Sequence, residues 1–122
     1  MTQPNLIIFY VSDSEKSALF YEKLFGLKPK ALFPTYAAFE FDNGLHLGLW
    51  SVEAKDFISG GTGHRGEIAI MVKDDNAVLD MHNRWQNMEI YFEQPPHRAV
   101  FGLTFVALDP DGHRIRVCLP DE

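Results

Sequence analysis

Two stretches of the chain repeat one order of apolar and polar positions. The first opens with Asn5-Leu6-Ile7-Ile8-Phe9-Tyr10-Val11, β-branched and aromatic, which reads as a strand buried on both faces. Ser12 with Glu15 behind it fits a capping box, hydroxyl and carboxylate each satisfying an orphan N–H at a helix start. Ala18, Leu19, Tyr21, Leu24 and Phe25 then carry the helix, and Gly26 is a natural stop. Strands over 36–41 and 45–50 flank Asp42-Asn43-Gly44, a strong hairpin signal.

After a soft stretch over 53–66, with Gly60-Gly61-Thr62-Gly63 inside it, the order restarts. Residues 67–72 read as a strand ended by Lys73-Asp74-Asp75, and Val78, Met81, Trp85 and Met88 follow at helical spacing. Pro95-Pro96 reads as a loop, and strands over 102–108 and 113–119 flank the turn Asp109-Pro110-Asp111-Gly112. An internal duplication of about 60 residues is the economical reading. Each half has too little core to stand alone, so a single domain is expected: module 1 over 4–52, a linker over 53–65, and module 2 over 66–120. Helices on one side of a largely antiparallel sheet place the chain in the α+β class.

Alternation along each strand sorts the side chains onto two faces. One face is wholly apolar: Ile7, Phe9, Val11; Leu45, Leu47, Leu49; Ile68, Ile70, Val72; Ile115, Val117, Leu119. The other mixes Tyr10, His46, Trp50, Glu67, Met71, Arg114 and Arg116. A second face of aromatics and a few charges is expected to line a cup, the usual chemistry of a ligand pocket.

Composition narrows the classes. A chain of 122 residues, 46% hydrophobic and 23% charged, is ordinary for one globular domain. Its net charge of −6 argues against a nucleic-acid partner and against an anionic membrane surface. The run from Leu6 to Val11 falls far short of the about 20 residues a spanning helix needs, and no secretory signal is readable. A lone cysteine, Cys118, excludes an intrachain disulfide and suits a cytoplasmic location. What stands out is the aromatic content: 10 Phe, 4 Tyr and 2 Trp exceed the needs of a small core.

Val11-Ser12-Asp13, Phe20-Tyr21, Gly26 and Asp109-Pro110-Asp111-Gly112-His113-Arg114-Ile115 resemble the vicinal-oxygen-chelate superfamily of glyoxalase I, extradiol dioxygenases and bleomycin-resistance proteins. The resemblance covers essentially the whole chain. It implies paired βαβββ modules forming a curved mixed sheet that lines a cup. Pro4-Asn5-Leu6, Tyr10-Val11-Ser12, Trp50-Ser51, Phe101-Gly102 and the segment 109–118 are similar to the phenazine-antibiotic-resistance branch. The family's metalloenzymes place their ligands at four cup-facing points, which fall here on Leu6, Gly48, Glu67 and Arg116. Leucine and glycine offer no donor side chain, and an arginine cannot lose its proton to bind a cation. Only Glu67 remains, which puts the family's enzymatic activities in doubt.

In place of a metal, an ion pair between Glu67 and Arg116 is expected. It is either a bridge that merely neutralises a carboxylate, or one that leaves Arg116 an N–H edge for a ligand carboxylate or carbonyl. Trp50 is favoured as a stacking surface over a core residue, because the opposite parity already supplies the core. Tyr10 and His46 share its face as hydrogen-bonding candidates, though Tyr10 is equally readable as a wall residue. Phe57 and Phe101 are candidate lids or dimer contacts, with loop anchoring as the plainer reading of each. Tyr36 and Phe41 rank lower, their parity open. His64 sits before Glu67 without helical spacing, His82 and His97 read as solvated, and His113 as a turn residue. Cys118 reads as a small apolar residue rather than a nucleophile.

The favoured function is metal-free, cofactor-free sequestration of a planar aromatic small molecule, as antibiotic-resistance members of the family perform. The resemblance also implies a homodimer with pockets shared between chains. A metal-dependent lyase or isomerase of glyoxalase type is the alternative, with His46, Glu67 and Tyr10 as a non-standard ligand set for a divalent metal. A sensor or carrier of an aromatic metabolite is a third reading that binding chemistry alone does not separate from resistance.

Overall fold

A computed structural model describes every residue except 1, 56, 60–62, 64, 65, 121 and 122. The glycine run of the linker and His64 therefore lie largely outside the described residues. The chain divides into two compact units, Met1–Thr62 and Gly63–Glu122.

In the first unit, strand β1 (Leu6–Val11) leads to helix α1 (Ser14–Phe25) and then to β2 (Ala31–Phe33), β3 (Tyr36–Glu40) and β4 (His46–Ser51). The sheet order is β1-β4-β3-β2, with β1 parallel to β4 and the other pairs antiparallel. Asp13, not Ser12, caps α1: its carboxylate accepts the N–H groups of Glu15 and Lys16, both at 3.1 Å. One carboxylate oxygen serving two orphan donors, with its charge at the positive helix end, outcompetes the neighbouring hydroxyl. Gly26 ends the helix at φ 64, in the left-handed region glycine enters without penalty. Ala18, Tyr21 and Leu24 bury the helix against Ala37, Phe39, Leu47 and Leu49, while Leu19 points outward at 69% exposure. β1 is not buried on both faces. It lies at the sheet edge, where Leu6, Ile7, Ile8 and Tyr10 are exposed and only Val11 is fully enclosed.

The second unit repeats the plan with β5 (Glu67–Met71), α2 (Asp75–Asn87), β6 (Tyr91–Ala99), β7 (Gly102–Leu108) and β8 (Arg114–Cys118). Its order is β5-β8-β7-β6, again with the first pair parallel. Asp74 caps α2 by accepting the Ala77 N–H at 2.9 Å. Val78 and Trp85 anchor the helix over Phe105, Ile115 and Val117, all fully buried or nearly so. Burying each such side chain favours folding by roughly 1.5–3 kcal/mol.

Pro95-Pro96 is not a loop. Both prolines sit within β6, at the edge of the sheet. The register slips by one residue between Phe92 and Gln94 and again between Gln94 and His97. An edge strand with bulges tolerates residues that cannot donate to the ladder.

The fold is thus α+β, with two four-stranded mixed sheets each packed by one helix. No helix among the described residues is long and apolar enough to cross a membrane.

Candidate functional site

The register of the first sheet arranges its helix-free face as a grid. Tyr10, Trp50, Tyr36 and Phe33 form one row across the four strands; Ile8, Gly48, Ala38 and Ala31 form the next. Leu6, His46 and Glu40 form the third.

The aromatic row is consolidated from outside the sheet by Phe57. Its ring meets Tyr10 at 4.9 Å and Trp50 at 5.3 Å between centroids, edge to face in both cases, and Tyr10 meets Trp50 at 6.4 Å. Of the candidate residues, Tyr10, Trp50 and Phe57 are therefore one cluster. Phe57 packs against the strand pair from the loop that follows β4. Trp50 stays half-buried and Tyr10 47% exposed, so the cluster is an accessible aromatic surface.

Tyr36 belongs to this face, which settles its parity; Phe41 instead packs on Phe25 at 5.1 Å. Gly48 explains how the Tyr36 ring fits. A Cβ built on Gly48 would stand 2.5 Å from the Tyr36 hydroxyl and 3.1 Å from two of its ring carbons. The phenol occupies the space that a side chain at position 48 would need.

The third row is polar. Lys30 Nζ lies 2.8 Å from Glu40 Oε1, and His46 Nε2 lies 3.3 Å from Glu40 Oε2. The Lys30 hydrogen bond, reinforced by its charge, holds the Glu40 carboxyl below its usual range. His46 thus borders the small-residue row, facing Glu40.

The second sheet's helix-free face carries charge instead of rings. Arg116 donates from Nε to Glu67 Oε1 at 2.5 Å and from Nη2 to Oε2 at 3.5 Å. Its Nη1 donates to Thr104 Oγ1 at 3.1 Å, and the buried Thr104 hydroxyl donates onward to the Val117 carbonyl at 2.7 Å. Arg114 completes the cluster, with Nε 3.6 Å from Glu67 Oε2 and Nη2 3.1 Å from Glu93 Oε1. Two cations and two anions balance locally. The Phe101 ring, 52% exposed beside the β6–β7 turn, lies 5.5 Å from the Arg116 guanidinium carbon. Of the five N–H groups of Arg116, these contacts engage three.

This donor set does not fit a divalent metal. Leu6 and Gly48 present no ligating atom, and Arg116 is a permanent cation. Glu67 is held by that arginine and approached by a second. Such a site wants three or four N, O or S ligands. The alternative set fares no better, since His46 is directed at Glu40 and Glu67 at Arg116. Among the described residues, no group of three His, Cys, Asp or Glu side chains stands where it could hold a metal.

One other residue departs from its sequence reading. His82 is half-buried rather than freely solvated: it packs on Phe92 at 4.6 Å and Phe105 at 5.4 Å, and burial pushes its pKa down. His113 is buried, with Nδ1 2.8 Å from Asp109 Oδ2. Asp109 therefore has a partner, which locks the turn. Cys118 is half-buried on the Arg116 side of β8.

Comparison with known proteins agrees with this layout. The family model for the glyoxalase/bleomycin resistance protein/dioxygenase superfamily matches residues 3–117. The chain is 35% identical to the phenazine antibiotic resistance protein EhpR of Enterobacter agglomerans, over 94% of this chain and 90% of that one. A protein from Agrobacterium tumefaciens, solved in solution by NMR, is 37% identical with both chains fully covered and a TM-score of 0.86. A lactoylglutathione lyase from the same organism shares the fold at 22% identity and a TM-score of 0.76, covering 96% of this chain and 92% of that one. The chain belongs to the glyoxalase/bleomycin resistance protein/dioxygenase superfamily.

Proposed function

We propose that this protein binds a planar aromatic small molecule and holds it without altering it, as a resistance protein does with an antibiotic. The observation that carries the reading is the accessible cluster of Tyr10, Trp50 and Phe57 on the helix-free face of the first sheet. Flat π systems gain about 0.5–1.5 kcal/mol from such ring contacts beyond the area they bury. The similarity to a phenazine antibiotic resistance protein points to tricyclic heteroaromatics as the first compounds to try. In the second unit, taken by itself, Arg116, backed by Glu67 and Thr104 and flanked by Phe101, keeps two N–H groups able to donate to a carboxylate or carbonyl. In this reading the protein needs no metal or cofactor, works as a cytoplasmic homodimer, and has neither nucleic acid nor membrane as partner.

Titration of tryptophan fluorescence with phenazine-1-carboxylic acid is the direct test. Trp85 is 2% exposed, so contact quenching reports on Trp50. Saturable quenching that Trp50→Phe abolishes, with the compound recovered unchanged by chromatography, is expected. Absence of quenching removes the binding role, and time-dependent conversion of the compound makes the protein an enzyme.

A further inference from the structure

The first sheet holds one polar group that the aromatic-surface reading does not use. Tyr36 sits on the helix-free face with its cross-strand partner Trp50, and its hydroxyl stands directly over Gly48. Among the described residues this hydroxyl has no hydrogen-bond partner. The hydroxyl is not buried, so it stays open to solvent and its O–H is free to turn to an acceptor on a bound molecule.

Its surroundings limit what that acceptor is. The Tyr36 phenol lies across Gly48, with the exposed Ile8 next to Gly48 on β1, Tyr10 and Trp50 to one side, and His46 and Glu40 to the other. A flat ring system resting on Ile8 against Tyr10 and Trp50 would meet the phenol over Gly48 with its edge, not its face. The hydroxyl is then offered to an acceptor lying in the plane of the ring system. Gly48 is the enabling residue, because any side chain there would displace the phenol.

We infer that Tyr36 is the specificity-determining donor of the aromatic site, selecting planar heteroaromatics with an in-plane acceptor, a ring nitrogen or a ring carbonyl, over all-carbon rings of the same shape. This rests on the proposed binding of a flat aromatic molecule to the first unit. It adds a chemical requirement that stacking alone does not impose.

The test compares phenazine-1-carboxylic acid with anthracene-1-carboxylic acid, which differ in the ring nitrogens alone, and anthraquinone-1-carboxylic acid supplies the ring-carbonyl arm. Dissociation constants come from tryptophan quenching. The wild type is expected to prefer at least one acceptor-bearing compound over the anthracene by roughly three- to tenfold, the range of one neutral hydrogen bond. Tyr36→Phe removes the preference while keeping anthracene affinity. Gly48→Ala, which crowds the phenol out of its place, removes it too, and the double variant loses nothing more. The arm that keeps the preference identifies which acceptor the hydroxyl meets. Equal binding of all three by the wild type, or a preference that survives Tyr36→Phe, overturns the role of Tyr36 while leaving the aromatic site standing. No binding of any of them overturns the site, and the selectivity with it.

Discussion

Arg116 on β8 reaches diagonally across to Glu67 on the parallel strand β5, Nε to Oε1 at 2.5 Å, with a second, longer contact at 3.5 Å. The family resemblance sets these two positions against the metalloenzymes' ligands, and here they carry a guanidinium and a carboxylate. Arg116→Met keeps the apolar stem that packs near Phe101 and leaves Glu67 with Arg114 still 3.6 Å away. The carboxylate is not stranded, so stability in urea is expected to change by no more than about 1 kcal/mol. Affinity for phenazine-1-carboxylic acid should fall roughly tenfold, as for loss of a charged hydrogen bond, and affinity for unsubstituted phenazine far less. An unchanged ratio between the two compounds assigns Arg116 to charge balance alone.

Thr104 fixes where that guanidinium points. Its hydroxyl proton is committed to the Val117 carbonyl at 2.7 Å, which leaves the oxygen to accept from Arg116. Thr104→Val preserves the shape but removes both bonds in a fully buried place. A loss of about 1–3 kcal/mol in urea denaturation is expected. Thr104→Ser, which keeps the hydroxyl, should recover ligand affinity more fully than stability, because the lost methyl still leaves a void.

Asp109 gathers the last turn. Its Oδ1 accepts the N–H groups of Asp111 at 2.9 Å and His113 at 2.8 Å, and its Oδ2 lies 2.8 Å from His113 Nδ1. Asp109→Ala leaves buried donors without their acceptor and is expected to cost about 2–4 kcal/mol, measured as a lowered urea midpoint with unchanged slope. A neutral outcome shows that water takes over the carboxylate's bonds.

Much of this was legible in the sequence. Duplicated βαβββ order follows from apolar runs, acidic helix starts and glycine turns, because those signals are local. The Glu67–Arg116 pairing follows from strand parity plus the family positions. Even Tyr36 was within reach, since a hairpin centred on Asn43 sets 40 opposite 46, 38 opposite 48 and 36 opposite 50. His82 likewise falls on the same helical stripe as Val78 and Trp85. Other features are not local. Nothing within Leu6–Val11 tells an edge strand from a central one, and the prolines of β6 read as a loop until bulges and an edge position accommodate them. Ser12 and Asp13 are both good caps, and the backbone path decides between them.

His82 makes stability depend on pH in a way that can be isolated. Its ring lies against Phe92 and Phe105, and loss of hydration disfavours the imidazolium, so its folded-state pKa lies below the ordinary value of 6.5. Between those two values the unfolded chain binds the proton and the folded chain does not. Stability therefore rises with pH through that window, is fully present above about pH 6.5, and is lost as the solution is acidified below it. His82→Phe keeps an aromatic ring in the cluster and cannot titrate. The difference in unfolding free energy between wild type and this variant should be constant above about pH 7 and move against the wild type on acidification. Parallel profiles down to pH 5 would show that the imidazole is hydrated well enough to charge in place.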